Sequence, residues 1–413
     1  MKAYDIENVL IIGIDAAALA ASAKRAGYTV FAVDYFGDVD LKGACKDSLS
    51  IVTQEAGKSC GYFQENFSAN DLLILTKKLL ADRRIDAVLL TSGLEDSPQV
   101  VEELNRHVSI IGNSPKAISR VRDKTRFFDD LKSLGIHRPE TAKAENLPEG
   151  KRAAKDIGYP VLTKPPTSFG GAGVKQARNP HELEQAFHLI PKSSKEMLIQ
   201  ECISGVDASV SFLSTGRGAK VLAVNEQLLG IPEVGQREKF GYCGNVVPIP
   251  RGTELTDACG EIVGKIAEHY SLVGSNGIDI VVSEDSIPYV IEVNPRFQGT
   301  SECVERVCGV NLVDAHMKAC LEGKLPRVSG GKPRKFCVRL ILYALHRSMV
   351  PDLQSFAELR DIPLPGAIIE EGEPLSSIVV EDETRISALR RAKRLARRIY
   401  KAVKATSTAG QKA

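Results

Sequence analysis

The sequence predicts an α/β and α+β protein in which a doubly wound parallel sheet is followed by antiparallel strands. Length is one reason, because 413 residues are too many for a single hydrophobic core, and two to four domains are expected. Residues 8–34 predict a strand, an alanine-rich helix and a second strand, which together form the βαβ unit of a parallel sheet. Residues 278–293 contain two apolar stretches around a polar turn and predict an antiparallel hairpin.

The composition excludes several classes of protein. It is 43% hydrophobic and 26% charged with a net charge of +2, so no nucleic-acid-binding surface is expected. No apolar stretch is long enough for a membrane span, and the N-terminus lacks the pattern of a signal peptide. The nine cysteines form no C-x-x-C pair and are expected to be reduced thiols. We therefore expect a cytoplasmic protein that binds neither nucleic acid nor membrane.

The first predicted domain covers residues 1–115. After the opening βαβ unit, we expect a helix around 69–83, a strand around 87–91, a further helix and a short strand around 108–111. The glycine positions of a dinucleotide fingerprint are occupied by Gly13, Asp15 and Ala18, so no dinucleotide is expected. Glu95 follows a strand, at the edge where ligands of such sheets bind. It is a candidate substrate contact, and a solvated loop acid is an equally good interpretation.

The predicted hairpin indicates a divalent-metal site. Pairing Ser283 with Pro288 sets Asp279 opposite Glu292, and Asn294 then shares the face of Glu292. Directly opposed carboxylates repel each other unless a cation lies between them. Two carboxylates and an amide oxygen suit Mg²⁺ or Mn²⁺. A register shift of one residue would instead separate the two acids and leave an ordinary solvated hairpin.

A glycine-rich segment, Gly170-Gly171-Ala-Gly173, predicts close approach of the backbone to an anion. It is not a Walker loop, because no Gly-Lys-Ser/Thr follows it. Lys164, on the preceding strand, can supply a positive charge for a phosphate group. Because nucleotide phosphates need both lysines and a divalent cation, the loop and the paired acids together predict a nucleotide site.

With these motifs the sequence resembles the ATP-grasp superfamily of biotin carboxylase, carbamoyl-phosphate synthase and D-alanine–D-alanine ligase. It is most similar to archaeal-type predicted carboligases, over residues 1 to about 403. Five ordered motifs carry the resemblance: Asp123-Lys124, Tyr159-Pro160-Val-Leu-Thr-Lys164-Pro165, residues 168–174, Gln200-Glu201 with Gly205-Val-Asp207-Ala-Ser-Val, and Gly277-Ile-Asp279 with Glu292-Val-Asn-Pro-Arg296. The resemblance implies a Rossmann-like preATP-grasp domain (1–115), an ATP-grasp domain of two α+β lobes (116–328) and a small C-terminal α+β region (329–413).

The resemblance also implies an ATP site with Mg²⁺. Phosphate contacts are implied for Lys124, Lys164, Ser168, Gly170, Gly171 and Gly173, and adenine and ribose contacts for Glu201, Cys202, Ile203 and Asp207. Asp207 is one methylene shorter than the glutamate that the family usually has for the ribose. The implied metal ligands are Asp279, Glu292 and Asn294. Arg296 and Lys164 are the implied catalytic residues, Arg296 stabilising charge on the substrate.

Such a site supports an ADP-forming ligase that joins a small-molecule carboxylate to an amine through an acyl phosphate. Substrate contacts are expected from Gln227, Arg237, Lys239, Tyr242 and Asn245, in or near a long polar loop over 231–245, although these residues also suit an ordinary lid. A homodimer is compatible with the family. Two alternatives stay open: a carboxylase-like enzyme that phosphorylates bicarbonate, and a non-catalytic ATP-binding regulatory protein. Against the first, the Val-Glu that follows the glutamine in biotin carboxylases is missing after Gln298.

The C-terminal part is basic. Strands are predicted at 336–343 and 376–380, and an amphipathic helix at 385–403. A closing helix with a solvated basic face is the preferred interpretation, with a membrane-surface or RNA-binding helix as the alternative. Residues 405–413 are predicted to be a disordered tail.

Overall fold

A computed structural model describes residues 5–165, 170–188, 196–328 and 335–410 of the chain. The helices are α1 (Ala17–Arg25), α2 (Val39–Ala44), α3 (Phe63–Asn66), α4 (Ala69–Asp82), α5 (Pro98–His107), α6 (Pro115–Arg122), α7 (Lys124–Ser133), α8 (Leu147–Ile157), α9 (Pro180–His188), α10 (Thr253–Tyr270), α11 (Ser301–Cys308), α12 (Leu312–Glu322) and α13 (Arg385–Gly410). The strands are β1 (Asn8–Ile12), β2 (Thr29–Asp34), β3 (Asp47–Ser50), β4 (Ala87–Leu90), β5 (Thr141–Ala144), β6 (Val161–Lys164), β7 (Lys175–Ala177), β8 (Met197–Glu201), β9 (Gly205–Thr215), β10 (Ala219–Leu229), β11 (Tyr242–Val247), β12 (Val273–Ser283), β13 (Pro288–Asn294), β14 (Phe336–Tyr343), β15 (Ser348–Met349), β16 (Leu359–Arg360), β17 (Ile368–Ile369) and β18 (Pro374–Asp382).

The N-terminal sheet is parallel and has the order β3-β2-β1-β4. Strand β1 is apolar at every position after Asn8 because both of its faces are covered. Leu10 packs with residues of α4 and α5, whereas Ile11 packs with residues of α1. The doubly wound sheet predicted from the βαβ pattern is therefore confirmed. The short strand predicted at 108–111 is reduced to one parallel bridge between Val88 and Ile110.

An eight-stranded sheet with the order β13-β12-β9-β10-β11-β14-β18-β16 forms the centre of the molecule. Strand β11 begins at Tyr242 and pairs with β10 on one side and β14 on the other. The long loop predicted over 231–245 is therefore wrong at its end, because pairing on both sides orders residues that look like loop in isolation. The C-terminal strands extend this sheet, so we keep the predicted division at residue 329 only as a proposal.

A third sheet, β5-β8-β6-β7, packs against α8 and α9 around an apolar cluster of its own. It forms a small lobe opposite the large sheet. Strand β6 ends at Lys164, and β7 begins at Lys175, so the glycine-rich segment is the connection between two antiparallel neighbours.

Helix α13 covers β14 and β18. Its buried face includes Leu395, Ile399 and Val403 of the apolar stripe predicted from the sequence, whereas Ile386 of that stripe is exposed. The helix continues to Gly410, so we keep the disordered tail predicted for 405–413 only as a proposal. Within the described residues, no helix has the length and hydrophobicity that crossing a membrane requires.

His316 on α12 connects the first domain to the large sheet. Its Nδ1 accepts a hydrogen bond from the backbone N–H of Ser275 (2.8 Å), and its Nε2 lies 2.9 Å from the carbonyl oxygen of Ile111. Nε2 must therefore carry the proton, and the ring is neutral. Burial lowers the pKa of His316 to about 4, which keeps it in this form.

Candidate active site

A cavity of about 960 Å³ lies where the N-terminal sheet, the small lobe and the large sheet meet. The residues that follow all four strands of the N-terminal sheet reach it, which is the edge where open α/β sheets bind ligands. Of the predicted site residues it is lined by Glu95, Lys124, Lys164, Gly170, Gly171, Glu201, Cys202, Ile203, Asp207, Gln227, Lys239, Tyr242, Asn245, Asp279, Glu292, Asn294 and Arg296. Ser168 lies outside the described residues.

The hairpin of β12 and β13 places the two predicted metal-binding acids opposite each other. Asp279 pairs with Glu292, as predicted, although Pro288 pairs with Val282 and not with Ser283. A bulge between Asp279 and Ile280 absorbs the difference of one residue. The pairing of the two acids was therefore predicted correctly. The pairing assumed next to the turn, Ser283 with Pro288, was wrong by one residue.

Asp279 is held by two amide groups. Its carboxylate accepts hydrogen bonds from Asn294 Nδ2 (3.0 Å) and from Gln227 Nε2 (2.9 Å). Burial raises the pKa of Asp279, with Arg296 the strongest of the groups that oppose this. Gln227, predicted as a substrate contact, instead orients an acid of the hairpin. Two carboxylates and an amide converge here; no cluster of three or more acidic, histidine or cysteine ligands exists among the described residues.

Arg122 is a site residue that the sequence reasoning missed. It ends helix α6, its side chain is only 7% exposed, and its guanidinium binds both Glu292 and the carboxylate of Asp96. The Nε–Asp96 Oδ1 and Nη2–Asp96 Oδ2 distances are 2.7 and 2.8 Å, a bidentate pair. Its position directly before the Asp123-Lys124 motif was the available signal. The Arg122 guanidinium therefore links the Glu292 carboxylate to Asp96 and fixes its position.

Arg296 is held by Glu95. The Nε atom donates to Glu95 Oε1 over 2.6 Å, and Nη2 donates to Asn294 Oδ1 over 3.2 Å. Burial alone would raise the pKa of Glu95, but the charges of Arg296 and Arg122 outweigh it and lower the pKa. Glu95 lines the cavity, as expected of a substrate contact, yet its carboxylate is used to orient the arginine.

Two lysines line the same cavity as the acids. Burial lowers the pKa of Lys164 to about 8, and the positive charge of Lys124 contributes. Burial and Arg122 lower the pKa of Lys124 in the same way, also to about 8. Positive charges gathered in a partly desolvated site repel each other, so an anion such as a phosphate group would stabilise them.

The glycine-rich segment is folded against the loop that precedes β11. Gly170, Gly171 and Gly173 all have positive φ, between 55° and 79°, which disfavours other residues. A Cβ on Gly171 would lie 2.0 Å from the carbonyl oxygen of Phe240. The backbone N–H of Tyr242 donates to Gly170 O over 2.9 Å. Gly171 is therefore required by the close approach of two backbones, and Gly173 lies just outside the cavity lining.

The predicted adenine and ribose residues lie together at the end of β8 and the start of β9. Glu201 Oε2 accepts the backbone N–H of Glu140 (3.0 Å), and Cys202 Sγ accepts from Gln176 Nε2 (3.2 Å). Burial raises the pKa of Asp207, and Lys164 is the main group that opposes this. Asp207 therefore lies close enough to Lys164 for their charges to interact.

Only some of the substrate contacts predicted in and near the loop before β11 reach the cavity. Lys239 Nζ binds Gln176 Oε1 (2.7 Å), and Tyr242 donates its hydroxyl to Asn245, whose Nδ2 binds a backbone carbonyl. Arg237 does not reach the cavity; it is 74% exposed and pairs with Glu371 over 2.8 Å. The prediction that Arg237 contacts substrate is not supported, because its side chain points to the C-terminal region.

A second charged group in the cavity was not predicted. Arg339 on β14 places Nη2 at 2.7 Å from carboxylate oxygens of both Asp15 and Asp361. Asp15 follows β1, Arg339 lies in the middle of β14, and Asp361 follows β16. Because they are far apart in the chain, no sequence spacing could indicate them. They lie in the part of the cavity bounded by the N-terminal sheet.

Comparisons with known proteins agree with this architecture. Residues 121–300 match a family model for the ATP-grasp domain. An uncharacterized protein of Methanocaldococcus jannaschii is 28% identical over 375 residues, which are 91% of this chain and 88% of that protein. The C-terminal section of the carbamoyl phosphate synthase large chain of Methanopyrus kandleri is 28% identical over 78% of this chain; the match spans 59% of that protein.

Solved structures share the fold at low identity. Biotin carboxylase of Campylobacter jejuni, in complex with β,γ-ATP, aligns with a TM-score of 0.72 at 18% identity, covering 94% of this chain and 90% of that one. An N5-carboxyaminoimidazole ribonucleotide synthetase in complex with ADP gives 0.70 at 16%, covering 96% and 98%. The L-amino acid ligase of Bacillus licheniformis gives 0.67 at 16%, covering 95% and 97%.

Proposed function

Residues 121–300 form an ATP-grasp domain, and from this premise we propose that the protein is an ADP-forming carboxylate–amine ligase. One observation carries the proposal: Asp279 and Glu292 are paired directly across the hairpin, in the same cavity as two lysines and Arg296. Opposed acids next to buried cations suit a nucleotide polyphosphate with its divalent ion better than any other common ligand.

ATP is proposed to bind between the small lobe and the large sheet. Lys124 and Lys164 would neutralise phosphate oxygens, and their lowered pKa values indicate how much an anion would stabilise them. The backbone of Gly170 and Gly171 would approach the phosphates closely. Glu201 and its neighbours Cys202 and Ile203 would surround the adenine ring.

The hairpin residues fit a divalent ion. Asp279 and Glu292 supply carboxylate oxygens and Asn294 an amide oxygen, a donor set that suits Mg²⁺ together with water and phosphate oxygens. When bound, the ion would supply charge neutralisation of the phosphates. Arg122 binds Glu292, and the Asn294 and Gln227 amides orient Asp279, so the acids are arranged in advance.

The proposed reaction has two steps. A carboxylate oxygen of the substrate attacks the γ-phosphorus, the bond to the β-phosphate oxygen breaks, and ADP leaves. An amine nitrogen then attacks the acyl carbon, inorganic phosphate leaves, and an amide remains. Arg296, fixed by Glu95, is proposed to stabilise negative charge on the acyl group during both steps. No protein nucleophile is needed.

The test is release of ADP from the purified full chain with Mg²⁺ and paired carboxylates and amines, bicarbonate among the carboxylates, with hydroxylamine added to trap acyl phosphate. The proposal expects amine-dependent ADP release and a hydroxamate. Release that depends on bicarbonate without an amine would favour a carboxylase-like reaction instead. ATP binding without any release across the panel would favour a regulatory protein.

Glu292→Gln is expected to abolish ADP release while the far-UV circular dichroism spectrum stays that of the wild type. The amide keeps the shape of the side chain but loses the charge that a divalent ion needs. Glu284→Gln, the same change in the exposed turn of this hairpin, is the matched control. Near-normal turnover in Glu292→Gln would refute the metal assignment.

A further inference from the structure

The end of the cavity beside the N-terminal sheet is unusually acidic. Asp15, Asp38 and Asp361 all line it. Among the described residues, Arg339 is the one cationic side chain that binds these acids, and its Nη2 is shared between Asp15 and Asp361. Burial is the largest cause that raises the pKa of Asp38, and four other aspartates, among them Asp361 and Asp34, raise it further. A further cation beside Asp38 would therefore stabilise its ionised form.

A buried hydroxyl at this end has hydrogen-bonding capacity left over. Ser376 lines the cavity and is 3% exposed. Within the described residues, its Oγ is buried without a hydrogen-bond partner, and a hydroxyl oxygen can accept from an ammonium ion. Buried polar atoms are nearly always satisfied, and those that are not indicate a function or an unseen ligand. This is an observation independent of the acidic charge.

The backbone conformation of Asp361 is a further sign of a functional site. Its φ is +55°, a conformation that non-glycine residues seldom adopt and that aspartate and asparagine tolerate best. Its position is fixed by the carboxylate of Asp40, which accepts the backbone N–H groups of Asp361 and Ile362 at 3.0 and 2.9 Å. An acid is thus held in an uncommon conformation at the cavity wall, which is typical of functional sites.

Aromatic side chains lie at the same end of the cavity. Tyr35, Phe36 and Phe63 line it, and the ring centroid of Tyr35 lies 4.9 Å from the ring centroids of both phenylalanines. Acids beside an aromatic surface suit an organic cation with an apolar body.

We propose that this end of the cavity binds the amine substrate as an ammonium ion, with Asp15, Asp38 and Asp361 around its charge and the aromatic side chains against its apolar part. The proposal rests on the ligase function proposed above, since it assigns the acceptor of that reaction. It identifies the acceptor class as a primary amine that is protonated in solution and has an apolar body.

The acidic end also provides for the proton. An ammonium ion must lose a proton before its nitrogen can attack the acyl carbon. Burial raises the pKa of Asp361 to about 7, which suits a carboxylate that accepts this proton. The N–C bond then forms, the bond between the acyl carbon and the phosphate oxygen breaks, and the remaining amine proton leaves with phosphate or solvent.

The test is calorimetric titration of the full chain, without ATP, at pH 7.5 with benzylamine, benzyl alcohol and benzoate. These probes share one ring and differ in charge. Benzylamine is expected to bind at least tenfold tighter than the other two. Asp361→Asn, which keeps the backbone conformation, is expected to weaken benzylamine at least tenfold and to leave benzyl alcohol unchanged. Asp285→Asn, an exposed turn residue, is the matched control.

Two results would overturn the proposal. One is benzyl alcohol or benzoate binding as tightly as benzylamine. The other is unchanged benzylamine affinity in Asp361→Asn or, should that variant not fold by circular dichroism, in Asp38→Asn. The titration contains no ATP, so it is independent of the ADP-release assay. Benzylamine binding together with no ADP release in any substrate mixture would count against the ligase function alone. Amine-dependent ADP release that is unchanged by Asp361→Asn or Asp38→Asn would count against the acidic site alone.

Discussion

Glu95→Gln separates a positioning role from substrate binding. Glu95 is 6% exposed at its side chain and Arg296 is 17% exposed, so the pair is largely removed from water. The substitution keeps the size of the side chain and removes its charge. Breaking a buried ion pair by removing one partner costs about 3–5 kcal/mol, because the other charge is left uncompensated.

The expected loss lies at the lower end of that range. Arg296 keeps hydrogen bonds to Asn294 Oδ1 (3.2 Å) and to the carbonyl oxygen of Phe297 (3.1 Å). Glu95 Oε2 also accepts the backbone N–H of Gly93 over 2.6 Å, and an amide placed there can keep only one of the two contacts as acceptor. We expect the free energy of unfolding to fall by about 3 kcal/mol.

The assay is urea unfolding of the full chain, followed by circular dichroism, together with steady-state ADP release. A positioning role predicts a fall in kcat of about a hundredfold at most, through misplacement of Arg296, with KM nearly unchanged. Glu284→Gln again serves as the control. A stability within about 0.5 kcal/mol of wild type, with the whole effect in KM, would show that Glu95 binds substrate directly.

Three further predictions follow from the structure. Gly171→Ala should weaken ATP binding at least tenfold, measured by calorimetry, because its Cβ would overlap a backbone carbonyl at 2.0 Å; Gly260→Ala, whose Cβ would meet open space in a helix, should not. The unfolding free energy of the wild type relative to that of His316→Gln should fall by about 3 kcal/mol as pH drops from 6.5 to 4, because unfolded His316 takes up a proton in this window before folded His316 does; a difference between the two proteins that does not change with pH would contradict this. Arg237→Ala should leave KM for all substrates unchanged, whereas Lys239→Ala should raise KM for ATP. A raised KM in Arg237→Ala together with an unchanged KM in Lys239→Ala would restore the sequence-based assignment of Arg237.

Much of the fold could be predicted because it depends on local pattern. Strand β14 has the bounds predicted for residues 336–343, since its apolar pattern is read directly from neighbouring residues. Strand β11 was missed, because its order comes from pairing with β10 and β14 and not from its own residues. The C-terminal helix was predicted from its apolar stripe, but its length was not.

The candidate site divides in the same way. Lys164, the glycine segment and the acids of the hairpin were found because each lies in a short motif. The contacts of these residues were not found: Arg122 on Glu292, and Gln227 on Asp279, join elements that only packing brings together. Glu95 was predicted as a substrate contact from its place after a strand, and its pairing with Arg296 was not predicted.

The sequence by itself predicted that Asp279 and Glu292 share a face of a hairpin, because side chains alternate along a strand, whereas the bulge that brings the two acids opposite each other is seen only in the structure. Tertiary structure alone decided the charge of the cavity. Asp15 and Arg339 are 324 positions apart and meet at 2.7 Å, and Asp361 joins them from a third segment. Electrostatic energy depends on distance in space and on burial, and neither is encoded in the spacing of residues along a chain.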